Sequence, residues 1–150
     1  VPMDAGRLAH LYRARASLDA LAARLAAERV MAERLGEEAE TLRAIVAKGL
    51  AVDADTPRAD LVQADVAFHQ TLYAMSGNPV IVELIAPQWP HLRRSMMTVL
   101  EAHIYRRRAW EEHAGIARLV LAGDADGAEA AASRHAITAG EETALRLRST

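Results

Sequence analysis

The stretch ADVAFHQTLYAMSGNP, residues 64–79, reads as the last turns of one helix, a break, and the start of another. Phe68 and Leu72 flank His69 at helical spacing, and the helix is predicted to run to about Met75. Gly77 is a C-cap candidate, and the residue before Pro79 avoids helical angles, so a new helix is predicted to begin near Pro79. Asp65 and His69 stand four apart. They share one helix face and present a carboxylate oxygen and an imidazole together.

Outward from that stretch the pattern stays helical. Towards the N-terminus, a helix is predicted over about Asp4 to Ala27, with Leu8, Leu11, Tyr12, Leu18, Leu21 and Leu25 as its apolar stripe. A second covers about Glu28 to Lys48, with Gly49 as its C-cap. No strong breaker stands near Glu28, so the two can also be read as one kinked helix. AVDADTPRAD reads as a loop in which Thr56 caps the next helix and Pro57 opens its first turn. Towards the C-terminus, Pro87 and Pro90 kink or split the helix after Ile85, which resumes through about His103. Arg106 to Ala122 makes the next helix, closed by Gly123. Asp124 caps the last, which runs to about Leu147.

Composition agrees with that pattern. The chain has 150 residues, enough for one domain with a single core, and 51% of them are apolar with alanine dominant. Aromatics are scarce, which suits closely spaced helices and not a sheet. Short loops between six to seven helices predict an all-α antiparallel bundle. The net charge of −2 gives this chain no electrostatic footprint for nucleic acid. There is no cysteine, so disulfides and thiolate ligands are excluded, and a reducing, cytoplasmic setting is expected. No apolar run approaches a membrane span and no signal peptide is visible, so no membrane partner is expected. VPMDAGRL at the start reads as a linker.

His113 and His135 each fall inside a helical pattern. Ile116 follows His113 three residues on, and Ala132 precedes His135 by the same spacing, so both imidazoles border apolar faces. With Asp65 and His69 they form a set of three nitrogens and one oxygen that can hold a divalent metal in the bundle interior. Such a set suits Zn, Ni, Fe or Mn better than Mg or Ca. His10, His91 and His103 have no partner at ligand spacing. Ser76 and Asn78 read as turn residues, Trp89 and Trp110 as core, and Arg106, Arg107 and Arg108 as a solvated helix start. Glu112 neighbours His113, but adjacent residues on a helix do not face each other.

Three segments, YRARASLDALAARLA, DVAFHQTLYAMSGNPVIVELI and EEHAGIARLVLAGDADGAEAAASRH, together resemble the FCD domain, the effector-binding domain of FadR-subfamily GntR transcription regulators. The resemblance covers about residues 8 to 147. It implies a helical bundle, a metal held by Asp65, His69, His113 and His135 (zinc first, with nickel, iron or manganese as alternatives), and recognition of a small organic acid. It implies a homodimer, and DNA contact only through an N-terminal winged helix-turn-helix that this chain does not contain. The chain therefore reads as a single FCD-like unit, either cut from a longer regulator, which is the preferred reading, or a stand-alone sensory domain. Where the family commonly has Arg-x-x-Leu-Glu in its first helix, this sequence has Arg15-Ala-Ser-Leu18-Asp19.

The resemblance makes Arg15 the first candidate to bind a carboxylate effector. Arg93 is the second, because on a helical wheel it borders the stripe of Trp89, Leu92, Met96 and Leu100. The expected function is sensing, not catalysis. A metalloenzyme and a structural metal-binding dimerisation domain are the competing readings. No HExxH motif is present and no acidic residue is obviously placed as a base.

Overall fold

A computed structural model describes residues 4–100 and 103–149, the side chains of residues 103–105 excepted. The side chain of His103 and the opening residues 1–3 lie outside it. Among the described residues the chain is all-α. Its helices are α1 (Ala5–Met31), α2 (Glu37–Leu50), α3 (Arg58–Met75), α4 (Pro79–Ile85), α5 (Trp89–Val99), α6 (His103–Leu121) and α7 (Ala125–Arg148), with a 3-10 turn over Ala86–Gln88.

Local chemistry sets most of the boundaries. Asp4 and Asp124 cap α1 and α7 through side-chain oxygens that accept from Gly6 and Gly127 amides, both at 2.9 Å. The SGNP turn works as read. Gly77 takes φ +69°, Asn78 accepts from the Val80 amide at 3.1 Å, and Ser76 Oγ donates to the Tyr73 carbonyl at 2.6 Å. Pro87 falls in the 3-10 turn and Pro90 in the first turn of α5, so the two prolines split this region.

Four boundary expectations need correction. The first break lies at residues 32–36 and not near Glu28. Glu33 adopts φ +52°, and the amides of Ala32 and Glu33 bond back to Glu28 and Val30 carbonyls. Gly49 lies inside α2. A Cβ there would sit 2.0 Å from Cε3 of Trp110, so the glycine admits an indole ring from α6 and does not end a helix. Thr56 does not cap α3; its hydroxyl bonds Asp53, and Pro57 is the residue before the first turn. Finally, the junction between α5 and α6 is shifted: α5 ends at Val99, earlier than His103, and α6 begins at His103, earlier than Arg106.

The helix directions follow from their contacts. Tyr12 meets Gly140 while Arg24 meets Asp126 and Glu129, so α1 and α7 are antiparallel. Arg15 meets His69 while Arg29 meets Met75, so α1 and α3 run the same way, as two helices separated by α2 should. Arg108 meets Glu142 while His113 meets His135, which makes α6 and α7 antiparallel.

The core face of α1 follows only part of the stripe read from the sequence: Leu8 and Tyr12 are buried as expected. Leu21 is exposed and Leu11, Leu18 and Leu25 are half-buried, while Ala16, Ala20, Ala23 and Ala27 are buried. On α7 the matching residues are Ala128, Ala132 and Ala136, followed by Gly140, where a Cβ would come within 2.7 Å of Tyr12 Cβ. Small side chains let the two helices close in, which pushes the leucines to the edges of the seam. Phe68, Leu72, Trp110, Ile116 and Val120 fill the core beside it. No helix among the described residues is long and apolar enough to cross a membrane.

Candidate metal and effector site

Four buried side chains from three helices converge. Asp65 and His69 come from one face of α3, His113 from α6 and His135 from α7. Their exposures are 7%, 1%, 0% and 6%. His69 Nε2 lies 3.1 Å from Asp65 Oδ1, and His113 Nε2 lies 3.5 Å from the same oxygen. His113 Nε2 and His135 Nε2 are 3.1 Å apart, and one ring nitrogen from each of the three histidines lies within 4.8 Å of the other two. Phe68 stacks on the His113 ring at 4.1 Å and Trp110 meets it edge-on at 4.7 Å, which fixes its plane.

These distances suit a shared cation. Ligand atoms about 2.1 Å from one ion, at angles of 90–110°, stand roughly 3.0–3.4 Å apart. Protein hydrogen bonds leave the arrangement unsatisfied. Asp65 Oδ1 is buried with no hydrogen-bond partner, although an ionised carboxylate oxygen can only accept. A buried acceptor facing imidazole nitrogens is what a cation would satisfy, and His69, His113 and His135 are chemically fit to hold one.

Burial pushes the His113 pKa well below that of a free imidazole, and Asp65 opposes this without overcoming it. The ring is therefore neutral at pH 7, as a metal ligand must be. Burial also pushes the Asp65 carboxyl upward, but His113, His69 and Arg15 together outweigh it and hold its pKa below the ordinary carboxylate range. Asp65 is ionised.

A second layer surrounds this cluster. Arg15 is 2% exposed, and its Nη2 donates to His69 Nε2 at 2.7 Å. Its Nε lies 3.3 Å from Asp19 Oδ2. Asp19 is also buried; its Oδ1 accepts from the Tyr73 hydroxyl, and its Oδ2 faces His69 Nδ1 at 3.4 Å. Burial raises the Asp19 pKa, and Arg15, His69 and Tyr73 lower it by more, so this carboxyl too is ionised. Burial and Asp19 push the Tyr73 phenol well above its usual value. On the other side, Glu112 Oε2 stands 3.5 Å from His135 Nδ1. Glu112 thus serves the imidazole on the facing helix and not its neighbour His113.

A narrow cavity of about 40 Å³, room for roughly three water molecules, opens beside the cluster. Its walls come from α1, α3, α5, α6 and α7. Tyr12, Arg15, Asp65 and His135 line it, as do Arg108 and Glu142, which pair with each other. Met96, Val99, Leu100, Ala109 and Ala139 give it an apolar side.

Arg15 therefore reaches both the cluster and the cavity, whereas Arg93 does not. Arg93 is exposed and lines a separate groove between α3 and α5 with Val62, Val66 and Met97. The wheel gave its angle correctly, but the neighbour on that side is the outer face of α3. Arg108, read as part of a solvated helix start, is exposed and also lines the cavity. The sequence marks Asp19 only as a departure from the family's first-helix pattern and gives no role to it, to Tyr73 or to Glu142. The signal for Asp19 was available: Leu8, Tyr12, Arg15, Asp19, Ala22 and Ala26 recur at alternating spacings of four and three, and all six are buried. Two opposite charges in adjacent slots of an apolar stripe mark a buried ion pair.

The profile of one protein family, described as the FCD domain, matches residues 10–138 of this chain. That span holds Arg15, Asp19, Asp65, Tyr73 and the three clustered histidines, His69, His113 and His135. Among curated proteins no relative matches it.

Proposed function

We propose that this chain, which belongs to the FCD domain family, is the effector-sensing part of a bacterial-type transcription regulator of the FadR subfamily. Asp65, His69, His113 and His135 would hold one divalent metal, zinc before nickel, iron or manganese. A small carboxylate would bind beside it, against Arg15. The observation that carries this reading is the buried Asp65 Oδ1, without a hydrogen bond, facing the ring nitrogens of His69 and His113.

Charge supports the choice of ligand. The buried groups include one cation, Arg15, and two ionised carboxylates, Asp19 and Asp65, with His113 neutral. Their net charge of one negative unit invites a cation. A divalent ion would reverse the sign and leave the site fit for one carboxylate. When bound, such a metal supplies a fixed positive charge and open coordination positions for an acid. The chain's own residues do the rest. His69 Nε2 has one lone pair, which Arg15 Nη2 uses in this structure. Were that nitrogen to hold a metal, Arg15 would keep a donor to offer the effector, and its Nε would stay beside Asp19. The narrow cavity limits the acid to a few heavy atoms, and its apolar side receives the carbon skeleton.

The cavity joins five helices, so a ligand there can favour one packing of the bundle over another. In a longer regulator that bias would reach an attached DNA-binding domain. The protein would act in the cytoplasm as a homodimer matched to a palindromic operator, and it would bind rather than transform its ligand.

The test is metal content followed by calorimetry. Elemental analysis should find one transition metal per chain, and His113→Ala should lower metal affinity by at least about 100-fold. A panel of small acids should bind the metal-loaded protein and not the metal-free one. Equal metal in His113→Ala and the parent would sink the metal site. Acid binding that is independent of both metal and Arg15→Ala would place the effector elsewhere.

A further inference from the structure

We infer that Asp19 is the positioning residue of this site, fixing the His69 ring with Nε2 towards the cluster and holding the Arg15 guanidinium beside it. The inference rests on the metal reading above and adds a residue that acts through two others.

Arg15 has no lone pair to share, so its 2.7 Å contact with His69 Nε2 requires that nitrogen to accept. A neutral His69 then carries its proton on Nδ1. That nitrogen has no well-formed hydrogen bond, and the group it faces is Asp19 Oδ2 at 3.4 Å. The same oxygen faces Arg15 Nε at 3.3 Å, and the other oxygen of Asp19 accepts from Tyr73, one turn beyond His69 on α3. One carboxylate on α1 is thus tied to a candidate metal ligand, to that ligand's helix, and to the candidate effector anchor. Asp19, Tyr73, Arg15 and His69 are each 3% exposed or less.

A carboxylate behind an imidazole sets which nitrogen is free and raises its basicity, and losing such a partner typically lowers metal affinity by about 10–100-fold. A mere structural ion pair between Arg15 and Asp19 predicts a change in stability but none in the His69 tautomer. In Asp19→Asn the new amide can turn an N–H towards His69 Nδ1. That would make Nδ1 the acceptor and move the ring proton to Nε2, the side that faces the cluster, once Arg15, no longer held by a carboxylate, has turned away from that nitrogen.

The experiment reads both consequences. Nitrogen-15 NMR of the imidazoles in metal-free protein gives the His69 tautomer, and zinc titration against a chelator gives affinity. The parent should show Nδ1–H. Asp19→Asn should show Nε2–H or a mixture, with zinc binding weakened by about 10–100-fold. Asp19→Glu should restore the Nδ1–H form and most of the affinity, and Tyr73→Phe should weaken zinc by only a few-fold. An unchanged tautomer in Asp19→Asn, or zinc affinity within twofold of the parent, overturns the inference. If Asp19→Asn does not fold, Asp19→Glu decides: Nδ1–H with near-parental affinity supports the role, and Nε2–H overturns it. If the parent itself binds no zinc or other transition metal, the metal reading falls, while the tautomers still decide what Asp19 does to His69.

Discussion

At one end of the seam between α1 and α7, Ala23, Ala26 and Ala27 share a dry cluster with Ala128 and Ala132. At the other end the same two helices enclose Arg15, Asp19, His135, Glu142 and a cavity. The helices are continuous through both regions, so the difference lies in side chains alone. Alanine lets the helices approach and gains stability from apolar burial with little entropy cost. Charged side chains at the far end face a large desolvation cost, which their mutual pairing offsets only while every partner is present. The alanine end is where this bundle is stable, and the polar end is where stability is traded for a site.

The largest effect should come from breaking the polar end at its centre. Arg15→Met leaves Asp19 ionised, buried and without its cation. The metal-free domain should lose about 3–5 kcal/mol of unfolding free energy by urea titration. Replacing both partners by apolar residues should recover part of this loss while abolishing acid binding. If Arg15→Met unfolds at the same urea concentration as the parent, Asp19 is not held by Arg15 and the contrast between the two ends disappears.

A smaller effect comes from acid. The folded His113 pKa is depressed, so below about pH 6.5 the unfolded chain takes up a proton that the folded chain refuses. The associated stability is present above that pH and is lost as pH falls, at up to about 1.4 kcal/mol per unit, until the folded ring also protonates. The lowered carboxyls of Asp19 and Asp65 follow the same sign but act below about pH 4, so the window between isolates the histidine. Urea titrations of metal-free protein from pH 7.5 to 5 should show the slope, and His113→Gln should flatten it. The alanine cluster has no titrating group to contribute. A parent curve that is level across this window would mean that His113 is not held neutral by burial.

How far this contrast could be read from the sequence differs between its halves. The meeting of Asp65, His69, His113 and His135 in the interior was legible, because Asp65 and His69 stand at i, i+4 and His113 and His135 lie in helices with apolar neighbours. The Arg15–Asp19 pair was half legible. Its heptad slots, shared with Leu8 and Tyr12, are in the sequence, but Leu11, Leu18, Leu21 and Leu25 suggest a competing apolar face that borders the seam. The pairing of Arg108 with Glu142 left no local trace, since it depends on how α6 crosses α7. Gly49 misled for a related reason: a glycine near a helix end suggests a cap, and only the fold brings the Trp110 ring against it. Arg93 shows the limit of the helical wheel, which gives a direction but not the neighbour that lies there.

The smallest effect should come from the charges on the outside of the alanine end. Arg24 bonds Glu129 at 2.6 Å and also pairs with Asp126 and Glu28, which ties α1 to the start of α7. By count of carboxylate partners it exceeds Arg15. Its setting is different: Asp126 is 91% exposed as a side chain, and water and salt screen the network. Arg24→Ala should therefore lower the melting temperature only slightly, by a small fraction of the Arg15→Met effect, and the loss should shrink further in about 1 M salt. Zinc affinity should stay as in the parent, because no ligand or cavity residue touches Arg24. A loss as large as that of Arg15→Met, or one unchanged by salt, would mean that this end of the seam depends on its surface charges and not on its alanines.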